Sequence, residues 1–187
     1  MTKSREIKED SIYHIYNRSV DKQTIFRSSY DFNRFYFKIM EYTEKSSLTV
    51  LAYCILPNHF HLLLRTTNPR GLATAVGNLC NSYAKYFNCA WERIGHVWQG
   101  RYNAKLVDDK EYLQTLLYYV NLNPIKHKLA HKMEDWPWSS HHDYLSGRKY
   151  TPRHFEYLRI FTEYAREFPC YLKRKEIDED AEFVIGF

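Results

Sequence analysis

The stretch LPNHFHLLLR, Leu56–Arg65, decides how this chain is read. Side chains of a strand alternate between faces, so His59 and His61 point one way and Phe60 the other. Leu63 continues the histidine face, and Leu62 and Leu64 continue that of Phe60. Two imidazoles from one strand therefore converge on one spot, with apolar packing on both sides. In isolation such a pair is more readily a set of buried, hydrogen-bonded histidines than a metal site. What surrounds it in the chain decides between the two.

Upstream, Leu48–Leu56 is almost wholly apolar, as in a strand covered on both faces, and Pro57-Asn58 breaks it before His59–Arg65 resumes. Ser11–Val20 (SIYHIYNRSV) is rich in Ile, Val and Tyr and reads as a first strand. Phe32, Phe35, Tyr36 and Ile39 recur at helical spacing, predicting a helix from about Tyr30 to Lys45. After Asn68-Pro69-Arg70-Gly71, the residues Leu72, Ala75, Val76, Leu79, Cys80, Tyr83 and Phe87 fall on one side of a long helix, with Asn78, Asn81, Lys85 and Asn88 on the other. A glycine- and tryptophan-containing loop then leads to a short strand near Asn103–Val107. The order is β-α-β-β-α-β, so the expected fold class is α+β: a ferredoxin-like split βαβ palm whose antiparallel sheet carries the histidine pair.

A further helix is expected from Asp108, where Asp108 and Glu111 have capping-box spacing, to an end near Pro124. Leu113, Leu116, Leu117 and Val120 form its buried stripe. Tyr119 and Asn123, one turn apart, sit at the edge of that stripe, and Tyr118 falls on the far side. A strand with two imidazoles can thus face a helix with a phenol and an amide. Imidazoles suit Mn, Zn, Fe or Ni, and a carboxamide oxygen suits Mg or Mn. WPWSS, Trp136–Ser140, reads as a turn and helix start, and a basic helix is expected within Pro152–Phe168. One domain, 1–145, is therefore followed by a basic helical extension with an acidic tail, 146–187.

The totals bound the function without naming it. The 187 residues carry 27 Lys+Arg against 22 Asp+Glu, a net charge of +5 spread unevenly. From Arg65 to Lys105 there are six basic residues against Glu92 alone, and from Arg148 to Lys175 eight against three, before the acidic run Glu176–Glu182. A basic middle is the electrostatic footprint of a nucleic-acid binder, and those of the 17 tyrosines that the core does not need are stacking surfaces for unpaired bases, many others being packed. Cys54, Cys80, Cys89 and Cys170 show neither a CxxC pair nor zinc spacing and read as reduced thiols. No apolar run suits a signal peptide or a membrane span, so a soluble cytoplasmic protein is expected.

Along the chain lie YHIYNRS (Tyr13–Ser19), LPNHFHLLL, SYAKYFN (Ser82–Asn88), GHVWQGRYNAKLVDD (Gly95–Asp109) and YVNLNP (Tyr119–Pro124). In these blocks the sequence resembles the single-tyrosine HUH transposases, and among them the REP-associated tyrosine transposases, over about two thirds of its length. HUH denotes His, a bulky hydrophobic residue, His, here His59-Phe60-His61. The resemblance implies that Tyr119 is the nucleophile, that His59, His61 and Asn123 hold a divalent ion, Mg²⁺ or Mn²⁺, and that the substrate is single-stranded DNA, usually beside a hairpin. Related insertion-sequence enzymes have Gln where this chain has Asn123; Asn121 is the fallback for the third ligand.

Candidate DNA contacts are Arg18, Lys85, Trp98, Arg101, Lys105, Lys126 and Lys128, with a core role for Trp98 as the competing reading. His14, His96, His127, His131, His141, His142 and His154 have no spacing that asks for metal and are expected to be surface or structural. Two other functions fit the same fold: a non-catalytic binder of DNA or RNA hairpins, and a replication-initiator or relaxase-type nickase. A homodimer and a monomer are both compatible with the sequence.

Overall fold

The computed structural model describes residues 7–146 and Arg166. Contacts divide the chain into two units, Met1–His142 and Asp143–Phe187. The first is a four-stranded antiparallel sheet in the order β2-β3-β1-β4. Its strands are β1 (Ser11–Arg18), β2 (Leu48–Leu56), β3 (His59–Thr66) and β4 (Asn103–Val107), and its helices α1 (Ser29–Lys45), α2 (Pro69–Ala90) and α3 (Lys110–Lys126). That is the split βαβ order read from the sequence. Apart from Arg166, which is helical, the basic helix and acidic tail expected beyond 146 lie outside the described residues. Among the described residues, no helix is long and apolar enough to cross a membrane.

One face of the sheet packs on α1 and α2 through a core rich in aromatic rings. Tyr13 and Ile15 of β1 and Phe60, Leu62 and Leu64 of β3 supply the sheet side, the alternation foreseen for β3. From β2 come Leu48 and Val50, then Tyr53 and Ile55. The switch from even to odd positions is made by a bulge between Val50 and Ala52, which resets which side chains face the helices. Local signals start both helices. Ser28 caps α1 in a reciprocal box with Asp31, and Asn68 caps α2 with Pro69 behind it. Tyr86 Oη then donates to Asp31 Oδ1 at 2.6 Å, tying the second helix to the start of the first.

The opposite face, the histidine face, is covered at β2 by α3. Two sequence expectations for this helix are corrected. Its cap is Asp109, whose carboxylate accepts from Tyr112 N, so the helix starts one residue later than a box at Asp108 implies. It also runs through Pro124 to Lys126 instead of stopping before the proline. Pro124 offers no N–H to the Val120 carbonyl one turn back, and the Asn123 side chain reaches it instead at 3.4 Å, so the helix continues. Tyr118, placed on the far side by helical angle, is buried as well, since every residue from Leu116 to Pro124 is.

β2 lies at the edge of the sheet, where unpaired backbone groups would be exposed. The WPWSS segment covers it: Ile55 N donates to Trp138 O, Ser140 N to Tyr53 O, and the Trp136 indole to Ile55 O. Ser140 Oγ accepts from Tyr53 N at 3.1 Å and donates to Asn121 Oδ1 at 2.9 Å, joining the edge strand to α3 inside the protein. Ser140→Ala strands both partners and is expected to lower unfolding free energy by about 1–3 kcal/mol, read as a lower urea midpoint at unchanged slope.

Candidate active site on the histidine face

β1 and β3 pair with Tyr16 opposite His61 and Arg18 opposite His59. Directly opposed residues share a face, so His14, Tyr16 and Arg18 project beside His59, His61 and Leu63. From above, α3 brings Tyr119, Asn123 and His127, spaced by four along one side of the helix. The Tyr119 ring stands edge-on to His61 at 5.7 Å between centroids, and the His127 ring edge-on to His59 at 5.0 Å. Asn123 lies midway between these two contacts on α3, over the histidine pair. The side of α3 that carries Tyr119, Asn123 and His127 therefore lies against the strand that carries His59 and His61.

Each histidine of the pair is held at Nδ1. Asn58 donates its Nδ2 to Lys22 O at 2.9 Å, which turns its Oδ1 toward His59 Nδ1 at 2.6 Å. An amide oxygen can only accept, so His59 carries its proton on Nδ1 and a lone pair on its buried Nε2. His61 Nδ1 meets His14 Nε2 at 3.0 Å, and its Nε2 is likewise buried. Metal-binding histidines commonly donate the other ring N–H in this way.

Asn123 is oriented by its own helix. Its Nδ2 donates to Tyr119 O at 2.8 Å and to Val120 O, the carbonyl left over by Pro124. Oδ1 is thereby turned away from the backbone, buried and without a hydrogen-bond partner. A buried amide oxygen with nothing to accept from is costly, and a cation is one group that satisfies it. Asn121, the fallback ligand, has both ends of its amide engaged, donating to Leu117 O and accepting from Ser140 Oγ. Among the described residues, no group of three or more His, Cys, Asp or Glu is placed to hold a metal ion. Two imidazoles and one amide oxygen would give a divalent ion three protein ligands, a mixture of borderline nitrogen and hard oxygen donors.

The site is electropositive and its imidazoles on the sheet are buried. Burial, then His127 and Arg18, lowers His59 to about 3, and burial, then Lys105, lowers His14 to about 4. Burial first, with the surrounding imidazoles and Arg18, holds His61 well below its ordinary value. The imidazoles are thus neutral at neutral pH, the state that binds metal. Burial raises the Tyr119 phenol above the usual tyrosine range against an opposing pull from Arg18. Lys126 Nζ lies 4.3 Å from the centroid of the Tyr119 ring, a cation–π contact that places positive charge beside the phenol.

The remaining candidates divide by layer. Arg18 and Lys126 are in the site, and exposed Lys105 pairs across the sheet with His14 on its rim. Arg101 and Lys128 are exposed. Lys85 is exposed on α2, the helix that covers the other face of the sheet, and is not brought to the histidines. Trp98 is corrected to a core residue: it is 7% exposed, donates to Cys80 O, and packs edge-on against Phe60, so it has no face to offer a base. The loop that holds it pairs with the end of β1 through Gln99 N to Arg18 O and Val20 N to Val97 O. His14 and His127, read from the sequence as surface or structural, flank the pair. His127 could have been found as Tyr119 plus eight; His14 needed the register of β1 on β3.

The family described as transposase IS200-like matches over residues 7–123. A Haemophilus influenzae protein named as a REP-associated tyrosine transposase is 30% identical over 109 residues, covering 53% of this chain and 62% of that protein. The solved structure of a REP-associated tyrosine transposase bound to a REP hairpin superposes with a TM-score of 0.62 at 17% identity, covering 78% of this chain and 86% of that one. The latter shows a shared fold.

Proposed function

The chain belongs to the IS200-like transposase family, and from that premise we propose that it nicks and rejoins single-stranded DNA beside hairpins, with Tyr119 as nucleophile. The observation that carries this reading is the meeting of Tyr119 and Asn123, from one helix, with His59 and His61, from one strand. The similar fold solved with a REP hairpin supports a hairpin-bearing strand as substrate.

The Tyr119 hydroxyl oxygen attacks the scissile phosphorus, and the bond from phosphorus to the 3′ oxygen breaks. A 5′-phosphotyrosine and a free 3′-OH result; the phenolic proton leaves to solvent and the departing oxygen takes one up. Because a phenolate is a good leaving group, a 3′-OH can reverse the step and rejoin the strand. Arg18, at the end of β1 beside His59, is positioned for a phosphate oxygen, and its charge opposes the burial that holds the Tyr119 phenol protonated. When bound by His59, His61 and Asn123, a divalent ion would neutralise phosphate charge and orient the scissile bond. Burial keeps the phenol protonated at neutral pH, so the cleavage rate should rise with pH between 7 and 9 wherever chemistry limits it. A rate flat across that range would mean that deprotonation is not part of the limiting step.

The test is covalent trapping. Purified protein is mixed with a labelled pool of single-stranded hairpin DNA and Mg²⁺ or Mn²⁺, with and without EDTA, and resolved on a denaturing gel. A metal-dependent adduct that peptide mapping places on Tyr119 is expected. Tight hairpin binding with no adduct would replace this reading with that of a hairpin-binding protein.

A further inference from the structure

His59 and His61 look equivalent in sequence, but the structure holds them by different means. His59 Nδ1 faces an amide oxygen, Asn58 Oδ1, which can only accept. His61 Nδ1 faces another imidazole, His14 Nε2, which can accept or donate. If His14 accepts, His61 is protonated on Nδ1 and presents a lone pair at its buried Nε2. If His14 donates, the proton of neutral His61 sits on Nε2 and that nitrogen cannot bind a metal. The tautomer of His61 is therefore set on β1, by a residue with no place in the HUH pair.

We propose that His14 is a positioning residue that accepts the Nδ1–H of His61 and so selects the metal-binding tautomer of that ring. The inference rests on the metal reading of His59, His61 and Asn123. His14 is built for such a role. It is 1% exposed, and its ring stacks on His61 at 5.2 Å with an interplanar angle of 18°. Tyr16 lies 5.1 Å from it and Tyr119 stands edge-on at 6.3 Å, so the ring is confined on several sides. Its Nδ1 is buried without a hydrogen-bond partner. With His14 as acceptor, neutral, Nδ1 carries the proton, and the cost of burying it unpartnered is borne at a site where it fixes the neighbouring ring. Strand pairing explains why β1 can do this: His14 lies two residue pairs beyond the Tyr16–His61 pair, on the same face and within diagonal reach of His61.

The experiment compares the full-length wild type with His14→Gln, His14→Leu and His59→Ala. Gln can return an acceptor oxygen near the position of Nε2; Leu fills space without one. Mn²⁺ affinity is measured by electron paramagnetic resonance on DNA-free protein, with near-UV circular dichroism to verify folding. Imidazole ¹⁵N–¹H spectra of the metal-free wild type report the His61 tautomer and do not depend on any variant folding. His61 is expected to carry its proton on Nδ1. Mn²⁺ binding is expected to weaken by about 10- to 100-fold in His14→Leu and to stay within about threefold of wild type in His14→Gln. A wild-type His61 protonated on Nε2, or a folded His14→Leu that binds Mn²⁺ as tightly as wild type while His59→Ala does not, overturns the role of His14 alone. A wild type whose Mn²⁺ binding is absent or unchanged in His59→Ala overturns the metal reading and this inference with it.

Discussion

Tyr119→Phe should bind hairpin DNA with wild-type affinity and lose strand cleavage by about 10³-fold or more, with no covalent adduct on a denaturing gel. The substitution removes one oxygen and keeps the ring that stands edge-on to His61 and beneath Lys126. Packing around the site is thereby retained, and the loss is confined to the attacking atom. The contrast with the ligands is diagnostic. His59→Ala or Asn123→Ala should weaken Mn²⁺ binding as well as cleavage, whereas Tyr119→Phe should leave Mn²⁺ binding unchanged. An adduct that persists in Tyr119→Phe would assign the nucleophile to another of the tyrosines, and Tyr16 and Tyr112 would be examined next.

The metal-free protein should lose stability steeply on mild acidification. Unfolded histidine protonates near 6.5, whereas folded His14 waits until about 4 and folded His59 until about 3. Below 6.5 the unfolded chain therefore binds more protons than the folded one, and stability falls with pH. It is full above 6.5 and lost progressively down to about 3 to 4. Between pH 7.5 and 5 each histidine that stays neutral contributes a loss of about 2 kcal/mol, so His14, His59 and His61 together make it on the order of 4–6 kcal/mol. Carboxylates scarcely titrate in that window, which isolates the imidazoles. Urea unfolding in EDTA at the two pH values measures the difference, and His14→Leu should reduce it by about 2 kcal/mol. Midpoints that coincide at the two pH values would mean that these imidazoles are hydrated and ionise normally.

How much of this was legible from residue order follows from the range of the interactions involved. Strand alternation placed His59 and His61 on one face and Phe60 on the other, because a pleat repeats every two residues whatever surrounds it. Helical spacing placed Tyr119 and Asn123 on one side of one helix for the same reason, and the β-α-β-β-α-β order came from periodicity and from the breaks at Pro57-Asn58 and Asn68-Pro69. These are local consequences of backbone geometry.

What crossed between elements was decided by tertiary structure. The register of β1 on β3 sets His14 against His61, and no local pattern encodes a register between strands more than forty residues apart. A bulge after Val50 changed which β2 residues face the helices, and the demand of the aromatic core for Trp98 removed it from the DNA-binding candidates. Pro124 looked like a helix end until Asn123 met the carbonyl it leaves over, and that same hydrogen bond turns Oδ1 outward. Chain order alone thus determined which groups could do the chemistry. Only the packed structure decided how each is aimed, because hydrogen bonds that fix a tautomer or an amide join residues that meet only after folding.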